Sequence, residues 1–197
     1  LHYLRNVLRR QDGDNVRIFN GRDGEFIASL RNLSKRTGAL KCVERIREQP
    51  SDTTVVKLFF APIKKNRMDI LIEKSVELGV HEIQPVITAR TEHRNVNIPR
   101  MQKQVIEASE QSERLDIPSV RTPIDLHDLP HDEPIYWCAE RYECDPINWV
   151  QSDAYTFLIG PAGGFSTSEQ RSLGPNVLRC ETAAIVCLSY ATVLTKD

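Results

Sequence analysis

The first fifty residues contain short segments in which apolar and polar residues alternate, a pattern that predicts β-strands. The segments VRIF and EFIASL stand on either side of residues 20–24, Asn-Gly-Arg-Asp-Gly, a loop rich in residues that tolerate positive φ. Such a loop between two apolar runs is typical of a β-hairpin. Residues 39–46, ALKCVERI, alternate again and predict a further strand. We therefore expect a small sheet or barrel, followed by a linker at residues 49–52.

The pattern changes after the linker to longer apolar runs separated by helical spacing. Residues 54–61, TVVKLFFA, are almost continuously apolar, as expected of a strand that is covered on both faces. Further strands are predicted at residues 83–89, 135–140 and 156–160. Helices are predicted at residues 64–78, ended by Gly79, from Pro99 to about Arg114, and around ETAAIVCLSYATVL near the end of the chain. Strands that alternate with helices predict an α/β domain with a parallel sheet.

The last predicted helix has little polar surface and carries small residues, namely Ala183, Ala184, Cys187 and Ala191. This composition predicts close burial, either against the sheet of the same chain or against a second subunit.

A helix start is encoded at Ser166–Glu169, where Ser-x-x-Glu forms a capping box. The helical pattern then breaks after Arg171, and so short a helix is marginal by itself. We therefore expect that residues are absent between Gln170 and Arg171. The chain also begins without Met, so we expect that further residues precede Leu1.

Composition favours a globular, reduced and cytoplasmic protein. Among 197 residues 40% are hydrophobic, no window of eighteen residues is continuously apolar, and the charged first ten residues do not read as a secretory signal. Five cysteines without a Cys-x-x-Cys pair favour free thiols over disulfides. His127, His131, Cys138 and Cys144 match no structural zinc spacing, so we expect no metal.

Charge is unevenly distributed around the net value of −1. Residues 1–50 carry a net charge of +5, whereas residues 119–197 carry −6. A basic first third is consistent with contact to a polyanion such as RNA, and equally with a solvated, arginine-rich surface.

Two glycine-bearing loops follow predicted strands and are candidates for ligand binding. One is Gly160–Gly164 after FLI, and the other is Leu-Gly-Pro-Asn at residues 173–176, which leads through residues 178–182 into the last helix. In open α/β sheets ligands bind at the carboxyl ends of strands, and glycines let a ligand approach the backbone. Neither loop has the Lys-Ser/Thr of a phosphate-binding P-loop or the G-x-G-x-x-G of a dinucleotide site.

The segments LIGPAGGFS and SLGPNVLRCETAA resemble the two signature segments of the bacterial 16S ribosomal RNA uridine-N3 methyltransferases, which belong to the SPOUT superfamily. Upstream, HYLRNVLRRQDGDNVRIFNG, KNRMDILIEKSVELGVHEIQPV and EASEQSERLDIP resemble other segments of the same family. The resemblance spans nearly the whole chain.

This resemblance implies a PUA-like RNA-binding β-barrel over residues 1–53 and an α/β methyltransferase domain with a trefoil knot over residues 54–197. It also implies a homodimer that uses S-adenosylmethionine and acts on 16S ribosomal RNA of the small subunit. The cofactor residues that it implies are Ala139, Glu140, Leu158, Ile159, Gly160, Pro161, Gly163, Gly164, Leu173, Gly174 and Leu178.

The sequence departs from the family pattern in three places. The family usually has Glu at the position of Ala162 and often Thr at that of Cys180, and its stretch between GGFS and SLG is longer. The glycines of the first loop and the Leu-Arg-x-Glu-Thr run at residues 178–182 are retained, so we do not infer an inactive relative.

For methylation at uridine N3, an arginine is expected to stabilise the charge that develops on the base. The candidates are Arg179, which is favoured, and Arg114, while Glu181 or Thr182 could orient the base. Each also has a purely structural interpretation as a helix-end or surface residue. Expected RNA contacts are His2, Arg5, Arg9, Arg10, Lys64, Lys65 and Arg67. Methylation of a ribose 2′-oxygen and a non-catalytic role in ribosome binding remain alternatives.

Overall fold

The structure is a computed structural model, and it describes residues 3–34, 36–51, 54–130, 134–138, 152–173, 177–178 and 188–189. The chain divides into two compact units, Leu1–Ser51 and Asp52–Asp197. None of the helices in these described ranges combines the length and the hydropathy that a membrane span requires.

The smaller unit is an antiparallel meander of three strands, preceded by a single π-helical turn at Tyr3–Val7. The strands are β1 (Asn15–Phe19), β2 (Glu25–Arg31) and β3 (Ala39–Arg47). The predicted hairpin is confirmed, because Phe19 pairs with Glu25 across the intervening loop. Inside that loop the side-chain oxygen of Asn20 accepts hydrogen bonds from the backbone N–H groups of Arg22 and Asp23, both at 3.0 Å.

A buried carboxylate ties the three strands of this unit together. Glu25 on β2 is 5% exposed and accepts a hydrogen bond from Nε of Arg17 on β1 at 2.5 Å. Arg47 on β3 lies 3.5 Å from the other oxygen of the same carboxylate. The hydrogen bond from Arg17 lowers the pKa of Glu25 despite its burial, so the carboxylate stays ionised between two arginines.

The larger unit is built on a parallel sheet, as the alternation of strands and helices predicts. Its described strands are β4 (Val55–Phe60), β5 (Glu82–Ile87), β6 (Ser119–Val120), β7 (Ile124–Asp125), β8 (Ile135–Cys138), β9 (Ala154–Ile159) and β10 (Val177–Leu178). They lie in the order β10-β8-β9-β4-β5-β6, β7 also pairs with β5, and every pair is parallel. The carboxyl ends of the strands therefore share one edge of the sheet.

The apolar run of β4 is buried on both faces because alternate side chains enter two separate cores. Val56, Leu58 and Phe60 pack with residues of helices α1 (Lys65–Glu77) and α2 (Ile98–Gln111). Phe59 points to the opposite face, where it packs with Trp137 of β8. Leu188, in the segment predicted as the last helix, is fully buried in the first of these cores. The other residues of that segment lie outside the described residues, apart from Ser189.

Helix α3 (Thr167–Leu173) begins at the predicted capping box. The backbone N–H of Ser166 donates to Oε2 of Glu169 at 2.7 Å, and the N–H of Glu169 donates to Oγ of Ser166 at 3.4 Å. The helix passes through Gln170 and Arg171 without interruption and ends two residues beyond the predicted break. The capping box therefore accounts for the start of this short helix.

Candidate functional site

The three strands that carry the predicted cofactor loops end side by side at the carboxyl edge of the sheet. Cys138 at the end of β8 pairs with Ile159 at the end of β9 and with Leu178 at the end of β10. The first glycine loop leaves this edge directly after β9. The structure thus brings together one predicted loop and the starting points of the segments that follow β8 and β10.

Gly160 begins this loop beside an aromatic ring of the same chain. A Cβ atom on Gly160 would lie 2.7 Å from Cε2 of Phe165, closer than side chains approach each other. The Phe165 ring is itself held edge-on to Trp137, with ring centroids 5.4 Å apart. The packing of Phe165 is therefore sufficient by itself to require glycine at position 160.

The remainder of the loop is closed by two further contacts. The N–H of Gly164, which has a φ of +68°, donates to the carbonyl of Pro161 at 2.8 Å and forms a turn. Nη1 of Arg90 donates to the carbonyl of Gly163 at 2.7 Å. Arg90 follows β5, so this hydrogen bond joins the loop after β9 to the loop after β5. Ala162 is exposed and takes part in neither of these two hydrogen bonds.

The side chain of Glu169 bonds to the loop after β5 and to the end of the glycine loop after β9. Its carboxylate is 3% exposed and accepts hydrogen bonds from the N–H groups of Ala89 and Ser166, each at 2.7 Å. Burial raises the pKa of Glu169, but the two backbone donors outweigh it, and the pKa falls below its ordinary value. An ionised, buried carboxylate thus holds the β5 loop against the start of α3.

A basic groove lies next to the glycine loop, with a cavity volume of about 200 Å³. We call it the carboxyl-edge groove. Its basic side chains are those of Lys64, Arg67, Arg90 and His93, and the remaining lining comes from Pro62, Ile63, Glu92, Pro161 and Ala162. Two of the seven predicted RNA contacts, Lys64 and Arg67, therefore lie beside the glycine loop, whereas Lys65 is exposed on the first turn of α1 outside the lining.

Arg114 lies at the opposite edge of the sheet from the glycine loop of its own subunit. Its guanidinium donates to the carbonyls of Val76 and Val80, which precede β5, and forms an ion pair with Asp116. The two edges are separated by the length of β5, which has six residues and therefore spans about 20 Å at 3.3 Å per residue. Arg114 is also largely buried, so it is not a surface residue at a helix end either.

The family is established by comparison with known proteins. Residues 49–192 match the family described as RNA methyltransferase domain, and residues 1–41 match the family described as RNA methyltransferase PUA domain. The chain belongs to the RNA methyltransferase family. Its fold class is the predicted one, a SPOUT-type parallel α/β domain with a small antiparallel sheet in the PUA-like region.

Individual relatives agree over nearly the whole chain. A ribosomal RNA small subunit methyltransferase E from Rickettsia conorii is 33% identical over 98% of this chain and 86% of its own. The structure of a protein of the same name from Neisseria gonorrhoeae, bound to S-adenosyl methionine, is 28% identical with a TM-score of 0.79, over 98% of this chain and 88% of that one. A methyltransferase from Legionella pneumophila, solved with bound cofactor SAM, is 29% identical with a TM-score of 0.81, over the same shares.

Within this RNA methyltransferase, several predicted site residues fall outside the described residues. They are Arg179, Glu181, Thr182, Ala139, Glu140, Gly174 and His2. For Leu178 the structure gives the strand position in β10. Leu173 ends α3 and packs on the cluster that contains Phe165 and Trp137. Among the described residues, no group of three His, Cys, Asp or Glu side chains could hold a metal ion.

The described residues among the predicted RNA contacts of the smaller unit lie in its first turn or directly after it. Arg5 belongs to the π-helical turn and is partly exposed, while Arg9 and Arg10 follow it and are exposed. The N–H of Arg10 donates to the carbonyl of Leu4 at 2.8 Å and folds this segment back on the turn.

Sequence reasoning missed Arg90 and His93, and it assigned Glu169 only a local capping role. A signal for Arg90 was present, because it directly follows the predicted strand at residues 83–89 and so stands at a carboxyl end. No comparable signal marks the contact of Glu169 with Ala89, because the partners are eighty residues apart in the chain.

Proposed function

We propose that this chain transfers a methyl group from S-adenosylmethionine to N3 of a uridine in the 16S ribosomal RNA of the small subunit. The observation that carries the proposal is the glycine loop at the shared carboxyl ends of β8, β9 and β10, in a chain whose similar Neisseria protein is bound to S-adenosyl methionine. The name of the Rickettsia relative supports a small-subunit RNA substrate, and the uridine N3 position rests on the motif resemblance.

The described part of the loop fits a cofactor without phosphates. A Cβ atom on Gly164 would meet no atom within 4 Å, so open space borders the backbone there. Leu158, Ile159 and Pro161 are buried beside it and give the loop an apolar base. Backbone groups and apolar surface suit the adenosine and methionine parts of the cofactor better than a polyphosphate. The cofactor residues named from the resemblance are proposed to complete this site.

S-adenosylmethionine supplies an electrophilic methyl group when bound, so the protein mainly has to align the reacting atoms. Uracil N3 carries a proton on its pairing edge, and the base must therefore be unpaired and must lose that proton. We assign charge stabilisation on the base to Arg179, which follows β10 directly in the sequence. Glu181 or Thr182 orients the base. Arg114, which lies at the opposite edge of the sheet in its own subunit, is the second candidate for charge stabilisation on the base.

We further propose that the enzyme is a cytoplasmic homodimer with a knotted C-terminal segment, as the resemblance implies. His2, Arg5, Arg9 and Arg10 contact RNA phosphates from the smaller unit, and Lys64, Lys65 and Arg67 contact them from the larger one. The four arginines and two lysines among them are cations at neutral pH, so they favour the polyanion at low salt.

Mass spectrometry of nuclease digests tests the proposal. The protein is incubated with isotopically labelled S-adenosylmethionine and with either naked 16S RNA or isolated small subunits. We expect one labelled methyl group on a uracil base at N3. A labelled ribose would replace the proposal by 2′-oxygen methylation, and the absence of label on both substrates would favour a binding role without catalysis.

A further inference from the structure

We infer that the carboxyl-edge groove binds a backbone phosphate of the RNA substrate and that Arg90 couples this phosphate to the glycine loop. The inference rests on the proposed function for its substrate, and it adds a defined phosphate site and a positioning residue. All groove residues belong to the larger unit, so the site does not depend on how the two units are arranged.

The first step is the charge of the groove. Lys64, Arg67 and Arg90 carry positive charges and His93 is a fourth basic group, whereas Glu92 is the single acidic side chain in the lining. Helix α1 also begins at this groove, and the start of a helix carries a partial positive charge. Pro62, Ile63, Pro161 and Ala162 supply the apolar part of the lining. The excess of basic over acidic side chains favours binding of an anion in the groove.

The second step is size and position. A volume of about 200 Å³ leaves room for a phosphodiester group. Pro161 and Ala162 belong to the lining and to the glycine loop at once. A phosphate in the groove therefore lies beside the loop that is proposed to hold the methyl donor, where the backbone flanking the target base has to pass.

The third step is the double position of Arg90. One N–H of its guanidinium donates a hydrogen bond to the carbonyl of Gly163, and the same side chain lines the groove. A guanidinium offers five N–H donors in a rigid planar fork, so Arg90 can hold the carbonyl and a phosphate oxygen together. Binding of the phosphate fixes the guanidinium, and this in turn fixes Gly163. RNA and cofactor are then expected to tighten each other's binding.

The phosphate site is tested by salt-dependent RNA binding without catalysis. Binding of a fluorescent small-subunit RNA fragment is measured between about 50 and 200 mM salt, with the protein saturated with S-adenosylhomocysteine. In the double variant Lys64→Gln, Arg67→Gln the magnitude of the slope of log K against log salt is expected to decrease by about 0.7 to 0.9, the contribution of the one phosphate that the groove neutralises. Lys103→Gln removes an exposed charge from α2, outside the groove, and is expected to leave the slope unchanged.

An unchanged slope in the double variant, or an equal loss in Lys103→Gln, would overturn the phosphate site. The groove could instead receive the carboxylate of the cofactor. In that case the double variant would bind S-adenosylhomocysteine more weakly in the absence of RNA, and this result would also overturn the inference.

The coupling is tested by Arg90→Lys, which keeps the charge but loses the planar fork. For the unmodified protein we expect RNA to lower the Kd of S-adenosylhomocysteine at least about fivefold, the lower end of typical coupling. In Arg90→Lys the ratio is expected to approach one while the salt slope and the melting temperature are retained. A retained ratio would overturn the role of Arg90. Because neither assay involves methyl transfer, both remain informative if the methylated atom is not uracil N3.

Discussion

The carboxylate of Glu169 accepts a hydrogen bond from the backbone N–H of Ala89, at 2.7 Å and across eighty residues of sequence. Since the same carboxylate also accepts from Ser166, one buried side chain determines the position of two loops at the carboxyl edge. The glycine loop between them owes its shape to this clamp and to Arg90.

Glu169→Gln is expected to destabilise the larger unit by about 1 to 3 kcal/mol, because an amide cannot accept both backbone hydrogen bonds and leaves a buried N–H unpaired. Urea unfolding followed by tryptophan fluorescence measures this change, since both tryptophans of the chain belong to the larger unit. Glu107→Gln, an exposed change on α2, serves as the control and is expected to stay within about 0.5 kcal/mol. Equal unfolding free energies for Glu169→Gln and the control would contradict the clamp.

The stability difference between the unmodified chain and Glu169→Gln is expected to depend on pH. The folded-state pKa of Glu169 lies below the ordinary value of 4.5, so its contribution is fully present above that value and is lost as the pH falls through the folded pKa. The difference in unfolding free energy should therefore shrink as the pH falls below the ordinary pKa of 4.5. Urea titrations at several pH values check this, and a constant difference would show that the pKa of Glu169 is the same in the folded and unfolded states.

Gly160→Ala is expected to cost about 1 to 3 kcal/mol through overpacking, because its Cβ would lie 2.7 Å from the Phe165 ring. Gly163→Ala is a matched control in the same loop, since its Cβ would meet Arg90 at an ordinary 3.6 Å. Thermal unfolding compares the two variants. In a Phe165→Leu background the cost of Gly160→Ala should decrease, because the ring that causes the clash is absent. An undiminished cost in that background would assign the role of Gly160 to something other than Phe165.

Arg114→Lys is expected to destabilise the larger unit by about 2 to 4 kcal/mol, since lysine cannot bond two carbonyls and Asp116 at once. Burial raises the pKa of Asp116, but Arg114 lowers it to a net value below the ordinary one, so the variant leaves a half-buried carboxylate with a poorer partner. Arg121→Lys, whose pair with Glu82 is more exposed, is the control. If both variants unfold at the same urea concentration, Arg114 does not hold the end of α1.

Arg179→Ala is expected to lower kcat by about 10² to 10³ while the Kd of the cofactor changes little, because the arginine is assigned to charge that develops on the base. Single-turnover methyl transfer and calorimetric cofactor titration separate the two quantities. Arg171→Ala removes an exposed arginine from α3 and is the control. Full turnover in Arg179→Ala would remove Arg179 from the mechanism.

The sequence predicts those parts of the fold that local patterns encode. The apolar run at residues 54–61 appears as β4, with its side chains divided between two cores. Gly79 stands at the end of α1 with a φ of +90°, where only glycine is readily accommodated. The prediction for α2 runs to about Arg114, but the helix ends at Gln111, because Glu113 adopts a φ of +54°. The two-residue strands β6 and β7 are too short to leave a pattern and were not predicted.

The candidate site is predictable only as far as strand ends can be read from the sequence. Gly160–Gly164 is correctly located because it follows an apolar strand. The reason for Gly160, which is Phe165, and the partner of Gly163, which is Arg90, depend on tertiary contacts. The position of Arg114 at the opposite edge of the sheet likewise depends on tertiary contacts, since a resemblance in sequence carries no information about which edge a side chain faces.

The pairing of β4 with β9 has a consequence for synthesis of the chain. Val55 pairs with Ala154, about a hundred residues later, whereas β1, β2 and β3 pair with their immediate neighbours in sequence. At about 5 to 20 residues per second a ribosome needs roughly 5 to 20 seconds to deliver β9 after β4. During this interval the apolar β4 lacks its partner on one side, while the smaller unit already has all its described strands. The larger unit therefore completes its sheet late in translation and is the part of the nascent chain that most needs protection by chaperones.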